Sequence, residues 1–290
     1  MKKIILIVFS MLCILKIDAQ ALRVGSYNVR YMNDEDVASG NGWKTRAPLV
    51  CNLINVMDLD VFGSQEVLDA QLHDMLKNLE DYNYIGVGRD DGKKEGEYAP
   101  IFYKPSKLKL LKSGVFWLSQ TPDVIGSVGW DAALPRICTY GYFKVRQSEK
   151  KVWFFNLHMD HVGVLARENA SKLVLQKIKE FCGSEPAILT GDFNVDQHNK
   201  IYSILSDSPL LKDCYHAAKH RIASNGTWND FKPNKKTDKR IDHIFVSPVF
   251  TVDDYAILTN VYWTPSTKEQ GKYDIRIPSD HYPIIAEIQF

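Results

Sequence analysis

The chain has 290 residues, 45% of them hydrophobic, and its 36 basic and 35 acidic side chains leave a formal net charge of +1. That is enough chain for a large core and one sizeable domain, and no Pro/Ser-rich linker, repeat or low-complexity segment divides it. So even a balance excludes a general polycationic field of the kind that coats nucleic acid.

Met1-Lys2-Lys3 is followed by an apolar run from Ile4 to Leu15 and then by Lys16-Ile17-Asp18-Ala19-Gln20-Ala21. A basic start, a short apolar core and a small-residue A-x-A site read as a cleaved secretory signal, residues 1–20. The core falls short of the about 20 apolar residues that span a bilayer. Ser10-Met11-Leu12 before Cys13 is a poor match to lipoprotein processing. Residues 21–290 are therefore expected to form one exported domain, periplasmic or secreted, working as a monomer. Setting Lys2, Lys3, Lys16 and Asp18 aside from the 36 and 35 leaves 33 basic and 34 acidic residues. Four cysteines remain, Cys51, Cys138, Cys182 and Cys214. Export permits disulfides, but three of the four sit in apolar patterns that suit buried free thiols, and no CxxC zinc signature is present.

Leu22 to Asn28 reads as a strand, and Trp43 to Met57 as an amphipathic helix with Leu49, Val50, Leu53, Ile54 and Met57 at helical spacing. Asp60 to Val67 is a second strand with Glu66 at its end. A short helix follows over Leu68–Leu79, then a strand over Tyr84–Val87 and a charged, glycine-containing loop from Arg89 to Glu97. Strands are expected at Tyr98–Tyr103, Lys109–Leu118, Ile137–Val145 and Trp153–His158, and the longest helix at Gly163–Cys182. Ala187 to Thr190 is a buried strand broken by Gly191, with Asp192 and Asn194 leaving it at alternate positions. Beyond it come a helix at Lys200–Leu205, a polar loop around Asn225–Lys239, a strand at Ile241–Val246 and a final strand at Pro283–Gln289.

Asn28, Glu66, His158 and the Asp192/Asn194 pair all follow apolar runs, whereas Asp242 and Asp280-His281 precede them. If the last two strands run opposite to the first four, all these polar groups share one sheet edge. A mixed, largely antiparallel pair of sheets packed face to face, with helices outside, would do that. Singly, each residue has a bland reading: Asn28 and Asp192 as turn residues, His158 as a satisfied core histidine, Asp242 as a strand cap. Glu66 is the most telling, because a carboxylate between Phe62 and Val67 is costly unless paired or metal-bound.

The motifs Ser26-Tyr27-Asn28-Val29-Arg30, Gln65-Glu66, Asn156-Leu157-His158, Gly191-Asp192-Phe193-Asn194, Arg240-Ile241-Asp242-His243-Ile244 and Ser279-Asp280-His281-Tyr282-Pro283 stand in this order. Taken together they resemble the endonuclease/exonuclease/phosphatase superfamily, over the chain from about residue 22 to its end. The resemblance implies a four-layer α/β/β/α sandwich of the DNase I-like kind and an enzyme that hydrolyses phosphoric esters with Mg²⁺, Mn²⁺ being a possible substitute. It implies Glu66 as the main metal ligand with Asn28 beside it, and Asp280 as a further metal-site or orienting carboxylate. Asp192 would orient or deprotonate the attacking water, and Asn194 would bind the phosphoryl group. His281 would pair with Asp242, and His158 would donate to a phosphate oxygen or the leaving group. A hard cation that keeps its waters needs only one or two carboxylates plus the substrate, so the set is sufficient.

His243 stands where nuclease relatives often carry Tyr, and Asp160 and His161 extend the histidine motif, as substrate contacts or supporting groups. Arg136 and Arg167 are candidate phosphate partners. Trp43, Trp130 and Trp228 sit in polar loops, where packing into the core is the first reading and stacking a base or sugar the alternative, Trp228 being the one placed in a substrate site. The basic runs Lys104-Lys107-Lys109-Lys112 and Lys232-Lys235-Lys236-Lys239-Arg240 are surface features, the second well placed to attract phosphate. Nuclease action on a nucleic-acid partner is the leading expectation. Phosphomonoesterase or lipid phosphodiesterase activity is the alternative, the latter lacking an evident exposed apolar loop in the sequence. A non-catalytic binding module of the same fold is opposed by the filled catalytic positions.

Overall fold

The computed structural model describes residues 21–146, 148–266 and 269–290, so the signal-peptide reading of residues 1–20 lies outside the described residues. The strands are β1 (Ala21–Asn28), β2 (Val61–Gln65), β3 (Asn83–Ile85), β4 (Ile101–Tyr103), β5 (Leu108–Trp117), β6 (Ile137–Val145), β7 (Lys151–His158) and β8 (Ala187–Asp192). They continue as β9 (Lys212–Asp213), β10 (His220–Ile222), β11 (Asp242–Val246), β12 (Thr251–Ile257), β13 (Tyr262–Pro265), β14 (Tyr273–Arg276) and β15 (Ile284–Gln289). The helices are α1 (Asp34–Ala38), α2 (Trp43–Met57), α3 (Asp69–Asn78), α4 (Val164–Cys182), α5 (Lys200–Ser206) and α6 (Cys214–Ala217).

Two mixed sheets result, one of seven strands in the order β10-β12-β15-β1-β2-β4-β3 and one of six in the order β5-β6-β7-β8-β11-β9. The period-2 alternation of the strands sends neighbouring side chains into different layers. On β7, Phe154 joins Val24, Ile244 and Ile284 in the core between the sheets. Its neighbours Trp153 and Phe155 pack outward on Ala170, Val174 and Ile178 of α4. On the far side, Val50 and Ile54 of α2 and Leu72 of α3 cover Tyr27, Phe62 and Phe102. This is the α/β/β/α sandwich that the motifs implied. All four cysteines among the described residues are buried and free.

Polar contacts cross the apolar interior near the strand ends. Gln65 Nε2 donates to Asn156 Oδ1 (2.7 Å) and to Ser26 Oγ (3.1 Å). Asn156 Nδ2 donates to the carbonyls of Ser64 (2.8 Å) and Pro100 (3.0 Å), and Thr190 Oγ1 donates to Asn156 Oδ1 (3.1 Å). Only a glycine leaves room for this seam, since a Cβ at position 63 would overlap Asn156 Oδ1 and Thr190 Oγ1. Gly63→Ala is accordingly expected to cost roughly 2–3 kcal/mol by forcing the two sheets apart. Urea unfolding would measure it, and a loss below about 0.5 kcal/mol, the range of ordinary surface substitutions, would show that the seam adapts freely.

Three expectations are corrected here. Trp43 is not a loop aromatic: it opens α2, is buried, and its Nε1 donates to Asp74 Oδ2 at 2.9 Å. Strand β12 and the β13–β14 hairpin went unread. An exposed apolar surface does exist: Val124, Ile125, Val128, Leu134, Val162, Val164 and Leu165 are all exposed around the loop before β6 and the start of α4. Among the described residues, no helix is long and apolar enough to cross a membrane.

Candidate active site

Strand register brings the predicted residues together. Parallel pairing sets Asn28 opposite Gln65, the residue before Glu66, and sets His158 opposite Asp192. Antiparallel β11 places Asp242 opposite Asp192, and antiparallel β15 leads Asp280 and His281 to the end of β1. Glu66 (φ 60°) and Asn194 (φ 51°) both hold left-handed backbone just beyond their strands. This conformation is uncommon for any side chain but Asn, Asp or Gly. It turns both residues out of the sheet and into the cleft that they line.

The buried Asn28 amide bridges two carboxylates, its Nδ2 lying 3.0 Å from both Glu66 Oε1 and Asp192 Oδ2. Its Oδ1 accepts from the Arg30 backbone N–H at 3.0 Å, which leaves that oxygen a second lone pair. Asn28 thus tethers the two acids. Glu66 Oε2 accepts from Tyr31 N (3.1 Å), and Asp192 Oδ1 accepts from Asn194 N (2.9 Å). Asn194 Nδ2 donates to the Met159 carbonyl at 2.9 Å.

Two imidazoles flank Asp192 Oδ2, with His158 Nε2 at 3.6 Å and His281 Nε2 at 3.7 Å. Their environments drive them apart. Burial, reinforced by the nearby Arg136 charge, pushes the His158 pKa down to about 3, so its ring is neutral. Burial also opposes charge on His281, but the Asp242 carboxylate 2.8 Å from Nδ1, with Asp192 beyond, outweighs it and raises that pKa well above the usual histidine value. Asp192 is itself pushed upward by burial and by Asp242. Asp280 rises to about 6, chiefly by burial, with His281 pulling the other way. It lies 3.8 Å from Arg30 Nη1.

One ligand atom from each of Glu66, Asp192 and His281 falls within 4.8 Å of the others. Two carboxylates and an imidazole fit a divalent cation, oxygen donors suiting Mg²⁺ or Mn²⁺ in particular. Of the expected ligands, Glu66 is in this cluster, and Asn28 lies against it with its Nδ2 3.0 Å from Glu66 Oε1. The cluster opens on a cleft of about 630 Å³ whose walls include Arg136, His161, Asn199, Trp228 and Lys239. The face of the Trp228 ring carries Lys235 Nζ at 3.4 Å from its centroid.

Arg167 does not reach the cleft; its Nη1 donates to the Asp160 carbonyl at 2.8 Å, which makes it a brace of α4. Asp160 is a support as well, its Oδ1 accepting from Val162 N (2.9 Å) and Gly163 N (2.7 Å). Burial disfavours its charge, yet those N–H groups and Arg136 hold its pKa down to about 2. His243 is wholly buried and packs edge-on against Phe193. Sequence reading missed Glu97, which lines the cleft with its Oε2 3.5 Å from His158 Nδ1 and 2.6 Å from Arg89 Nη1. The charge density of the Arg89–Glu97 loop was the available signal, but nothing local showed that it folds back on the histidine.

Paired acids and a carboxylate-held imidazole at the joint edge of two sheets are the working parts of a phosphoesterase of DNase I-like fold. Residues 25–281 match the Endonuclease/Exonuclease/phosphatase family, and the chain belongs to it. It is similar to the mannosyl-6-phosphatase Bt3783 of Bacteroides thetaiotaomicron VPI-5482, with 48% identity, TM-score 0.89, and coverage of 93% of this chain and 100% of that one. A second Bacteroides thetaiotaomicron structure, an endonuclease/exonuclease/phosphatase family protein, shares 49% identity at TM-score 0.90, over 93% of this chain and 98% of that one. The uncharacterized protein L388 of Acanthamoeba polyphaga mimivirus is 30% identical over 264 residues, 84% of this chain and 91% of that protein.

Proposed function

We propose that this chain is an exported, Mg²⁺-dependent phosphomonoesterase that releases phosphate from a phosphorylated sugar. The observation that carries the reading is the end-to-end similarity to the mannosyl-6-phosphatase at 48% identity. The cleft agrees with it, since about 630 Å³ is the volume of a small-molecule pocket. Export is supported by the pattern of residues 1–20.

A bound divalent cation, held by Glu66 with Asn28 adjacent, would neutralise charge on the phosphoryl oxygens. The remaining work falls to the chain. Asp192 takes a proton from the water that attacks phosphorus, the ester P–O bond breaks, and the departing sugar oxygen takes a proton from solvent. His281, kept charged by Asp242, and the Asn194 amide stabilise the oxygens where charge develops. His158 holds the phosphate or the leaving oxygen from the other side.

Treatment with EDTA should abolish phosphate release from mannose 6-phosphate, and Mg²⁺ or Mn²⁺ should restore it. Full activity after exhaustive chelation would remove the metal from the proposal. A second reading, cleavage of phosphodiesters in a nucleic acid, is favoured by Lys239, which brings the end of the 232–240 basic run into the cleft wall. Turnover of bis-nitrophenyl phosphate or RNA with none on mannose 6-phosphate would select it.

A further inference from the structure

The phosphate chemistry leaves one polar cluster of the cleft unused. Arg136 is 4% exposed, and its guanidinium is gripped on two sides, by Asp160 Oδ2 at Nε (3.3 Å) and by His161 Nδ1 at Nη2 (2.8 Å). A guanidinium can only donate, so His161 Nδ1 must accept and its proton resides on Nε2. His161 is exposed and lines the cleft, so that Nε2–H is a donor on the ring's free side. The third nitrogen, Arg136 Nη1, is buried without a hydrogen-bond partner among the described residues, 4.0 Å from Glu97 Oε2. A buried donor left unmet carries its full desolvation cost, which a ligand on the same wall would relieve.

The charges in this cluster cancel: Arg89 and Arg136 are matched by Glu97 and Asp160. No net field is left to attract a second anion. What remains is two donors and a carboxylate acceptor, Glu97, whose side chain is 15% exposed. Hydroxyl groups, each of which donates and accepts, match that set. The cluster is also well placed for a leaving group. Glu97 lies 3.5 Å from one nitrogen of His158, and the other nitrogen is 3.6 Å from Asp192, so the subsite begins one imidazole away from the reacting carboxylate.

We propose that Arg136, His161 and Glu97 form the leaving-group subsite, which binds hydroxyls of a polyol and so selects sugar phosphates over other monoesters. The proposal rests on the monoesterase reading above. Its test compares kcat/KM for mannose 6-phosphate and for p-nitrophenyl phosphate, which has no hydroxyls, in the wild-type protein, His161→Ala, Glu97→Gln and Glu97→Ala. His161 is at the surface, so its variant avoids the folding risk of replacing buried Arg136. His161→Ala is expected to lose about tenfold more on the sugar phosphate than on the aryl phosphate, mainly through KM. Glu97→Gln, which keeps an acceptor oxygen, should lose less of that preference than Glu97→Ala. Equal losses on the two substrates, or no loss on either, would overturn the subsite while the monoesterase reading stands. A wild-type protein inactive on both substrates would overturn both.

Discussion

Asp192→Asn is expected to lower kcat on a phosphomonoester by a factor on the order of 10³, the span associated with losing a positioned general base. Folding should be nearly unaffected, for two opposing reasons. The new amide would set a donor against Asn28 Nδ2, where Asp192 Oδ2 now accepts at 3.0 Å, at a cost of about 1 kcal/mol. It would also remove a buried negative charge whose neighbours include Glu66 and Asp242, a relief of similar size. Asp192 Oδ1 can still accept from Asn194 N after the exchange, so the loop after β8 keeps its course. Single-turnover phosphate release beside thermal unfolding separates the two effects. Activity within tenfold of wild type would move the proton-accepting role to another group, the neutral His158 ring at 3.6 Å being the nearest imidazole.

Arg46→Met is expected to cost about 3–5 kcal/mol of stability. The Arg46 guanidinium is fully buried and hydrogen-bonds only to backbone carbonyls: Val29 (2.8 Å), Arg30 (3.2 Å), Asn41 (2.6 Å) and Pro278 (2.8 Å). Removing it orphans the Val29, Asn41 and Pro278 carbonyls in three separate loops, the Arg30 carbonyl keeping Gln71 Nε2 at 2.9 Å. Those loops follow Asn28 and precede Asp280, so catalysis should fall with stability. For a domain of this size the melting temperature should drop by about 10 °C. Lys keeps the charge but lacks the planar fork, and should recover only part of the loss. A shift under about 2 °C for Arg46→Met would mean that the loops find other donors.

Much of the site could be read from the chain because its residues sit at the junction of an apolar run and a polar step. Asn28, Glu66, His158 and Asp192 are visible for that reason, and the direction of β11 and β15 followed from Asp242 and Asp280 preceding their runs. Helix α2 was legible to the residue, its apolar spacing being unbroken by tertiary demands. β12 was not, because its register shifts between Val252 and Asp254, which spoils the alternation that marks a strand. The β13–β14 hairpin pairs Trp263 with Ile275 and Pro265 with Tyr273 on an exposed face, so its apolar residues point away from any core. Arg46 and Glu97 escaped for another reason. Their partners are carbonyls or side chains brought near only by folding, and no local pattern encodes them. Arg167 went the other way: a plausible phosphate ligand by residue type, it is consumed by the backbone of Asp160.

The pairing registers carry a further consequence for how activity arises. Asn28, Glu66, Asp280 and His281 belong to the seven-stranded sheet, whereas His158, Asp192, Asn194 and Asp242 belong to the six-stranded one. Two working pairs are split between the sheets: the acids tied by Asn28 come from opposite sheets, and so do His281 and its Asp242. Neither sheet folded alone would hold a dyad or a cation cluster. Catalytic competence is therefore a property of the docked interface, acquired in one step when the seam through Gly63, Gln65, Asn156 and Thr190 closes. A partly assembled chain would be chemically silent until that moment.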